Sequence, residues 1–331
     1  MNGDVGVKID KKDRLIMQQL EDDSRQSYSE IGRKVGLRGD TVEYRMKKLL
    51  DSGIIMRMFA EPNLPKLGLK TYRIYLKIEN MPQKEEDEMV RYFIAHPKSH
   101  WFAEFEGEWD YTLRLTLRDE VEFKEELEAL TKKFGKYILS KNIVITLQQS
   151  YLPLTYFTGR ESKIRWIGLE RVERIEELDA TDRKIMEHLF DNSRMSSIEL
   201  ARRTDISADA VTYRIRKLVE RGAIHYFGVY YDSSVLGYGR YKVLLWLKNT
   251  TRKREQELIR YCQQHPNSSY LNRVVGSWDL EVDFDTKTVQ EIHDIVKELR
   301  SGFGDIIRDH STMITLREEL SNPFRTQRGH R

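Results

Sequence analysis

The chain contains an internal repeat. The stretch Asp-Lys-Lys-Asp-Arg that begins at Asp10 returns as Asp-Ala-Thr-Asp-Arg at Asp179, 169 residues later. The same offset holds without a gap along both copies, as the following pairs show: Ile16 with Ile185, Tyr44 with Tyr213, Gly53 with Gly222, His96 with His265, and Trp109 with Trp278. A register kept over more than a hundred residues does not arise by chance. The sequence therefore predicts two copies of one unit, at residues 8–150 and 177–320.

The first half of each unit has the pattern of a helix-turn-helix. Apolar residues recur at helical spacing over residues 10–22, Ser27 starts a second short helix, and a third helix runs over about residues 40–50. A short helix, a turn that contains glycine and another helix are typical of this motif. The strand-like segments 54–59 and 223–231 follow the third helices and are predicted to form the wing.

The second half of each unit changes to strand periodicity. In the first copy, a strand over 71–79, a helix over 83–95, a hairpin around residues 107–110, a helix over 119–134 and a strand over 138–148 give the order βαββαβ. This order is the ferredoxin-like arrangement. Such a sheet has one face without helices, so we expect it to pair with another copy and to form a homo-oligomer through the sheets.

The predicted fold class is α+β, with two copies of a winged helix-turn-helix plus a ferredoxin-like βαββαβ domain. The predicted segments are a first winged helix-turn-helix (8–62), a first ferredoxin-like domain (68–150), a connector (151–176), a second winged helix-turn-helix (177–231), a second ferredoxin-like domain (237–320) and a disordered tail (321–331).

Composition limits the classes of protein that fit. Charged residues make up 33% of the chain but the net charge is only +3, so a nucleic-acid-binding surface must be local. Cys262 is the only cysteine, which excludes an intrachain disulfide framework and indicates a reducing compartment. The N-terminus has no signal-peptide pattern, and no apolar run approaches the ~20 residues of a membrane span. We expect a cytoplasmic protein that does not bind a membrane.

In order and spacing, these motifs resemble those of the Lrp/AsnC (feast/famine) regulators. The resemblance rests on Asp-x-x-Asp-Arg at the start of each unit, Val-x-Tyr-Arg in the third helices from Val42 and Val211, Leu-Gly before the first sheet strand, and Gly-x-Trp-Asp in the hairpins. It covers about nine-tenths of the chain. It implies that the first domain of each unit binds DNA and that the second assembles the protein and often binds an amino acid. The family's chains usually have one unit, so this chain resembles a covalently linked dimer.

The third helices carry the residues predicted to contact double-stranded DNA. Recognition needs cations for phosphates and side chains that reach base edges from this helix. The predicted residues are Arg38, Tyr44, Arg45, Lys47 and Lys48 in the first copy, and Ser207, Thr212, Tyr213, Arg214, Arg216 and Lys217 in the second. We call the winged helix-turn-helix of each copy its head. Because Asp40 and Glu43 add negative charge to the third helix of the first head, our hypothesis is that the second head binds DNA more strongly.

The Gly-x-Trp-Asp hairpins are the predicted effector sites. Gly107 and Gly276 allow a turn with positive φ. The carboxylates of Asp110 and Asp279 could accept hydrogen bonds from the ammonium group of an amino acid. The alternative is that each aspartate holds its own turn and each tryptophan fills the sheet interface. The sequence does not decide between the two.

The sequence predicts neither a catalytic group nor a bound cofactor or metal. The eight histidines have no metal-ligand spacing, and the chain has no phosphate-binding loop, dinucleotide fingerprint or nucleophile elbow. Two alternatives to a regulator remain open. One is an enzyme that resembles the siroheme decarboxylases, which share this architecture, and the other is an assembly or sensor module that no longer binds DNA.

Overall fold

A computed structural model describes residues 9–159, 164–168 and 174–325. The elements of the first copy are α1 (Lys11–Asp22), α2 (Tyr28–Val35), α3 (Gly39–Asp51), β1 (Ile55–Pro62), β2 (Lys70–Ile78), α4 (Gln83–Ala95), β3 (Ser99–Glu106), β4 (Tyr111–Leu117), α5 (Glu120–Phe134) and β5 (Ile138–Tyr151). The connector contains α6 (Thr155–Thr158) and β6 (Arg165–Gly168). The elements of the second copy are α7 (Ala180–Asp191), α8 (Ser197–Thr204), α9 (Ala208–Glu220), β7 (Ile224–Tyr231), β8 (Gly239–Leu247), α10 (Arg252–Gln264), β9 (Ser268–Val275), β10 (Leu280–Thr286), α11 (Val289–Phe303) and β11 (Ile307–Leu320).

Side-chain caps determine where the head helices begin. The Asp10 carboxylate accepts hydrogen bonds from the N–H groups of Lys12 and Asp13, and the Asp13 carboxylate accepts one from the Asp10 N–H. Ser27 and Glu30 form the same reciprocal capping box at α2. These boxes satisfy N–H groups that the first turn leaves without partners, so the predicted helix starts agree closely with the observed ones.

The strands that follow the third helices pair with each other. β1 runs antiparallel to β7, with Phe59 opposite Gly228, so this two-stranded ribbon takes one strand from each copy. Each head also buries a side chain from the ribbon strand of the other copy: Tyr231 lies in the core of the first head and Ala60 in the core of the second. The predicted wing strands therefore form a ribbon between the heads, because each copy supplies only one strand there.

The two ferredoxin-like sheets close into a barrel. The first copy has the strand order β5-β2-β4-β3 and the second has β11-β8-β10-β9. β5 pairs with β9 and β3 pairs with β11, so the eight strands form a ring without a free edge. The sheet face predicted to pair with another copy is thus covered by the other copy in the same chain.

Helices cover the outside of the barrel, and the inside divides into two parts. α4 and α5 pack on the first sheet through Phe93 and Phe134, and α10 and α11 cover the second sheet in the same way. At the hairpin end, the interior holds an aromatic cluster in which the ring centroids of Tyr75 and Trp278 lie 4.9 Å apart. Towards the ribbon, the interior is lined with charged and polar side chains.

The connector and part of the tail pack on the heads. Phe157 of α6 lies in the core of the first head, and β6 pairs with β5. Asn322 is buried, its side chain donates a hydrogen bond to the Glu187 carbonyl at 2.8 Å, and Phe324 packs on the second head. The disorder predicted for the tail is therefore wrong for these two residues, and residues 326–331 lie outside the described part. None of the described helices has the length and apolar character that crossing a membrane requires.

Candidate DNA-binding surface and sensing-domain sites

The third helix of each head turns a polar face to solvent. Its opposite face is anchored in the head core, by Val42, Met46 and Leu49 in α3 and by the equivalent residues of α9. Most of the residues predicted to contact DNA are exposed, and these are Arg38, Tyr44, Lys47, Lys48, Ser207, Thr212, Tyr213 and Arg216, with Lys217 half-buried. The tyrosines are unusually accessible for aromatic residues, since Tyr44 is 70% exposed and Tyr213 is 54% exposed.

Arg45 and Arg214 do not belong to this exposed set. Arg45 donates to the carboxylates of Asp10 and Asp13, each at 2.7 Å, and so joins the third helix to the cap of the first. The hydrogen bonds from the Asp13 N–H and from Arg45 lower the pKa of Asp10 to about 2. Arg214 makes equivalent bridges to the first-helix carboxylates of the second copy, at 2.7 and 2.8 Å. Both guanidinium groups therefore tie the third helix to the first helix of their own copy, and direct DNA contact by Arg45 and Arg214 stays a prediction.

The other cations of the third helices are held weakly. Lys217 bridges to Glu220 at 2.8 Å and Arg38 to Asp40 at 2.8 Å, and all four side chains are at least 41% exposed. Exposed pairs of this kind contribute little to stability, so a phosphate can replace the carboxylate at little cost. Across the described residues, no carboxylate lies within 4.0 Å of the ammonium groups of Lys47 and Lys48.

The starts of the two third helices differ. Ser207 caps α9 by accepting a hydrogen bond from the Ala210 N–H at 3.2 Å, whereas Arg38 at the equivalent position gives α3 no side-chain cap. The Thr212 hydroxyl lies 2.9 Å from both the Ala208 carbonyl and the Ser197 hydroxyl, so it ties α9 to α8. These bonds hold α9 in place within its head.

A second pair of basic residues lies at the end of the middle helix in each head. Arg33 and Lys34 are exposed in the last turn of α2, and Arg202 and Arg203 occupy the equivalent positions in α8. The sequence prediction omitted them because it considered only the third helices. The signal was present in the repeat, since both copies keep two consecutive cations at this register.

The heads contact each other around an approximate two-fold axis. The Ser24 and Ser193 hydroxyls are 2.7 Å apart, and Arg194 donates to the carbonyls of Ser24 and Gln26, each at 2.7 Å. Arg25 returns the equivalent bond to the Ser193 carbonyl. Together with the ribbon, these reciprocal bonds fix the position of α3 relative to α9.

The aspartates of the Gly-x-Trp-Asp hairpins are occupied by partners in their own copy. Asp110 accepts from the Lys77 ammonium at 2.6 Å and from the Ile78 N–H at 2.7 Å, and Asp279 accepts from the Leu247 N–H at 2.7 Å. The tryptophans of both hairpins are buried in the aromatic cluster.

The glycines of these hairpins allow close contact between copies. Gly107 has φ 144° and Gly276 has φ 151°. A Cβ at Gly107 would lie 3.1 Å from Met313, and one at Gly276 would lie 2.5 Å from the Ile143 carbonyl. Both neighbours belong to the opposite copy, so each hairpin seats one copy on the other. The effector role of Gly107, Asp110, Gly276 and Asp279 remains a prediction.

Comparison with known proteins places these heads in a family. The AsnC-type helix-turn-helix domain matches residues 9–50, and the winged helix-turn-helix DNA-binding domain matches residues 178–225. An uncharacterized HTH-type transcriptional regulator of Pyrococcus furiosus is 31% identical over 111 residues, which are 32% of this chain and 72% of the relative. A second such regulator of that organism is 30% identical over 152 residues, which are 46% of this chain and 99% of the relative.

This chain belongs to the Lrp/AsnC family of DNA-binding transcription regulators. The relatives match about one unit, so this member of the family carries two units in tandem. A solved structure has the two-unit architecture too: the siroheme decarboxylase NirDL aligns with 94% of this chain and 93% of its own, at a TM-score of 0.65 and 14% identity. That likeness shows the shared fold.

Proposed function

We propose that this Lrp/AsnC protein is a sequence-specific regulator in which one chain binds double-stranded DNA with both heads. The single observation that carries the proposal is the pair of exposed, basic third helices held in a fixed relation by the ribbon and the reciprocal arginines. Two linked heads bind two half-sites without a second loss of translational freedom, which raises the effective concentration of the second head.

We call the third helices, α3 and α9, the reading helices, and the contacts that we propose follow their exposed faces. Lys47, Lys48, Arg216 and Lys217 neutralise phosphates, while Tyr44, Tyr213 and Thr212 approach the groove. Arg33, Lys34, Arg202 and Arg203 add phosphate contacts where the middle helix crosses the backbone. Arg45 and Arg214 act as positioning residues. The stronger binding that we expect of the second head rests on the negative charge of Asp40 and Glu43 beside the first reading helix.

The proposal is tested by binding selection from random DNA followed by fluorescence anisotropy on the enriched sequence. A converged motif and an affinity that falls steeply with salt are expected, because each neutralised phosphate releases counterions. Failure to enrich any motif, with affinity equal for selected and random DNA, would remove sequence-specific binding. A matched control replaces Lys47, Lys48, Arg216 and Lys217 by alanine and leaves Arg45 and Arg214 intact, so that the heads stay folded.

We also propose that one chain is equivalent to a dimer of one-unit subunits. The expected homo-oligomer through the sheets has its counterpart inside the chain, because the barrel closes with strands of both copies.

Modulation by an amino acid at the hairpins stays part of the proposal. It requires Asp110 and Asp279 to exchange their present hydrogen-bond partners for the ligand. Isothermal titration of the full chain with each amino acid tests this, and the absence of heat for all of them would end the effector proposal.

A siroheme-decarboxylase-like enzyme is the second candidate function. The observation in its favour is the likeness to NirDL along nearly the whole chain. Two adjacent cavities lie where the ribbon meets the barrel. Among the described residues, no histidine lines either of them, which argues against this enzyme. An absorbance scan after mixing with siroheme separates the two functions. A shifted spectrum with decarboxylated product would establish the enzyme, and an unchanged spectrum is expected for the regulator.

A further inference from the structure

A polar cavity lies where the ribbon between the heads meets the barrel. Its walls come from both copies. Glu61 of β1 and Tyr230 of β7 are contributed by the ribbon, and Arg114, Tyr151 and Asn272 by the barrel strands. A neighbouring cavity shares four aromatic wall residues with it, and these are Phe59, Tyr151, Tyr230 and Tyr270.

Three of the buried cations around this cavity have carboxylate partners in the barrel. Arg73 of the first copy pairs with Glu281 of the second. Lys242 pairs with Asp283 at 2.7 Å, and Arg240 with Asp285 at 2.8 Å. Burial raises the pKa of Glu281, but the positive charges of Arg73 and Lys242 and the hydrogen bonds of Glu281 outweigh it, so that its pKa is lowered and it stays ionised. The first of these pairs joins the two copies, and the other two lie within the second copy. Glu318, which also lines the cavity, pairs with Arg240, so that Glu61 is the carboxylate of this lining that has no cation within 4.0 Å among the described residues.

Arg114 is the exception among these cations. It is 5% exposed, and its guanidinium donates to the amide oxygen of Gln149 at 3.0 Å. Within the described residues, its Nε has no hydrogen-bond partner and no carboxylate lies within 4.0 Å of it. A guanidinium keeps its charge when buried, and a buried charge without a counterion is costly. Arg114 therefore presents an unmatched positive charge at the cavity wall.

The neighbours of Arg114 do not supply the missing negative charge. Burial raises the pKa of Glu61 to about 7, against the effect of the hydrogen bond from Tyr151 and of the Arg114 charge. Glu61 is thus largely neutral below that pH. Burial together with the charges of Arg114, Arg57 and Arg73 holds the pKa of His100 well below its usual value, so this imidazole is neutral and brings no charge to the interior. Asn272 adds a buried amide oxygen that accepts no hydrogen bond among the described residues.

We infer that this cavity binds a small organic carboxylate, with the anionic group on Arg114 and the body of the ligand against the aromatic walls. The planar guanidinium suits the two oxygens of a carboxylate, and the free Asn272 oxygen accepts from a hydroxyl or amine on the same ligand. This site is separate from the Gly-x-Trp-Asp hairpins, which lie at the aromatic end of the barrel interior.

The position of the cavity gives binding a consequence for the heads. Because Glu61 and Tyr230 belong to the ribbon, a ligand in the cavity joins the ribbon to the barrel and favours one spacing of the reading helices. Occupancy then shifts DNA affinity to the extent that the ligand prefers that spacing. This regulatory step rests on the proposed DNA-binding function, whereas the binding site does not.

Calorimetric titration of the full chain tests the site without DNA. The probes are acetate, benzoate and 4-hydroxybenzoate, each compared with its primary amide, together with inorganic phosphate. At least one carboxylate is expected to bind with Kd below about 1 mM, at least about tenfold tighter than its amide. Equal binding of acid and amide, no binding by any carboxylate, or binding by phosphate alone overturns the inference.

Substitution of the unpaired arginine separates binding from folding. Arg114→Gln is expected to keep or raise the melting temperature, because it removes an uncompensated buried charge, and to weaken carboxylate binding at least about tenfold. Arg118→Gln removes the same charge from an exposed turn and should bind as the unmodified chain does. Retained affinity in Arg114→Gln overturns the inference. If that variant does not fold, Arg114→Lys is used in its place. This variant keeps the charge and is expected to bind the carboxylate more tightly than the amide, and equal binding of the two overturns the inference.

Anisotropy with the selected DNA, with and without the bound carboxylate, tests the regulatory step. A change in DNA affinity of at least about threefold supports it, and equal affinities overturn it while the calorimetric result stands. If the chain binds no DNA at all, the proposed function fails and the titration still decides the carboxylate site. The two proposals therefore fail independently.

Discussion

The two heads keep equivalent contacts, whereas the two halves of the barrel interior do not. Arg45 and Arg214 make the same bridges to the first helix of their own head. Inside the barrel, Arg114 of the first copy corresponds to Asp283 of the second, and Thr112 corresponds to Glu281. The heads therefore share these bridges, although their third helices start differently, and they suit two similar half-sites. The interior charges of the two barrel halves are complementary. A first copy therefore pairs better with a second copy than with another first copy.

This difference predicts which pairing the chain prefers. A barrel made of two first copies would place Arg73 opposite Thr112, because the carboxylate that pairs with Arg73 exists only in the second copy. A buried cation without its partner is strongly destabilising. The interior charges thus favour pairing of the two copies in one chain, where the connector already holds them close together.

The largest expected effect comes from making the two interiors alike. Glu281→Thr gives the second copy the residue of the first and removes the partner of Arg73 and the acceptor of Tyr75 and Trp278. We expect the free energy of unfolding to fall by about 3–5 kcal/mol in chemical denaturation. Glu319→Thr breaks the exposed pair with Arg317 and should cost less than about 1 kcal/mol. A similar small loss in both variants would contradict the role given to the interior charges.

The second effect is a pH dependence that belongs to the first copy alone, since Tyr230 replaces Glu61 in the second. Burial raises the pKa of Glu61 from 4.5 to about 7, so the folded chain binds this proton more tightly than the unfolded chain does. The resulting stability is fully present below pH 4.5 and is lost as the pH rises through 7. Glu61→Gln stays neutral and should be more stable than the unmodified chain at pH 8 by about 3 kcal/mol, with little difference near pH 4.

Denaturation at several pH values measures this difference. Glu319→Gln, an exposed carboxylate, serves as the control and should show no such trend. If Glu61→Gln and the unmodified chain keep the same stability difference from pH 4 to pH 8, Glu61 does not take up the proton as described.

The third effect compares the heads directly. Lys47→Ala with Lys48→Ala and Arg216→Ala with Lys217→Ala remove two cations from one head each. Each double variant should weaken DNA binding about tenfold and reduce the salt slope by about 2. The larger loss is expected for the second head, and equal losses would contradict the asymmetry. Lys124→Ala with Lys132→Ala on α5 removes two cations outside the heads and should leave affinity unchanged.

The smallest effect concerns the helix caps. Ser207→Ala removes the cap of α9 and should cost about 1 kcal/mol of stability. Arg38→Ser supplies the same cap to α3, whose backbone there is already extended, and should stabilise the chain by up to about 1 kcal/mol. Thermal unfolding measures both changes. The same sign of effect in the two variants would show that the caps do not explain the difference between the two helix starts.

Features fixed by local chemistry could be predicted from the sequence. The helix starts at Asp10 and Ser27 follow from capping boxes within four residues, and the tandem units follow from the constant offset. The sequence also predicts that one face of each sheet has no helices and that the two copies pair, and the strands of the two copies do pair.

Features that depend on distant partners could not be predicted. Closure of the barrel depends on β5 meeting β9 and β3 meeting β11, which a one-dimensional pattern does not specify. The carboxylates that pair with Arg45 lie 32 and 35 residues away, so the sequence pattern does not reveal that this arginine bridges the third helix to the first. The unpaired Arg114 is visible only once every neighbouring charge has been placed.

The central claim, that one chain reads two half-sites, is tested most directly by hydroxyl-radical footprinting on the selected DNA at equal concentrations of chain and duplex. Two protected stretches separated by about one helical turn, or a whole multiple of it, are expected from a single bound chain. One protected stretch, or protection that requires two chains for each duplex, would contradict the account.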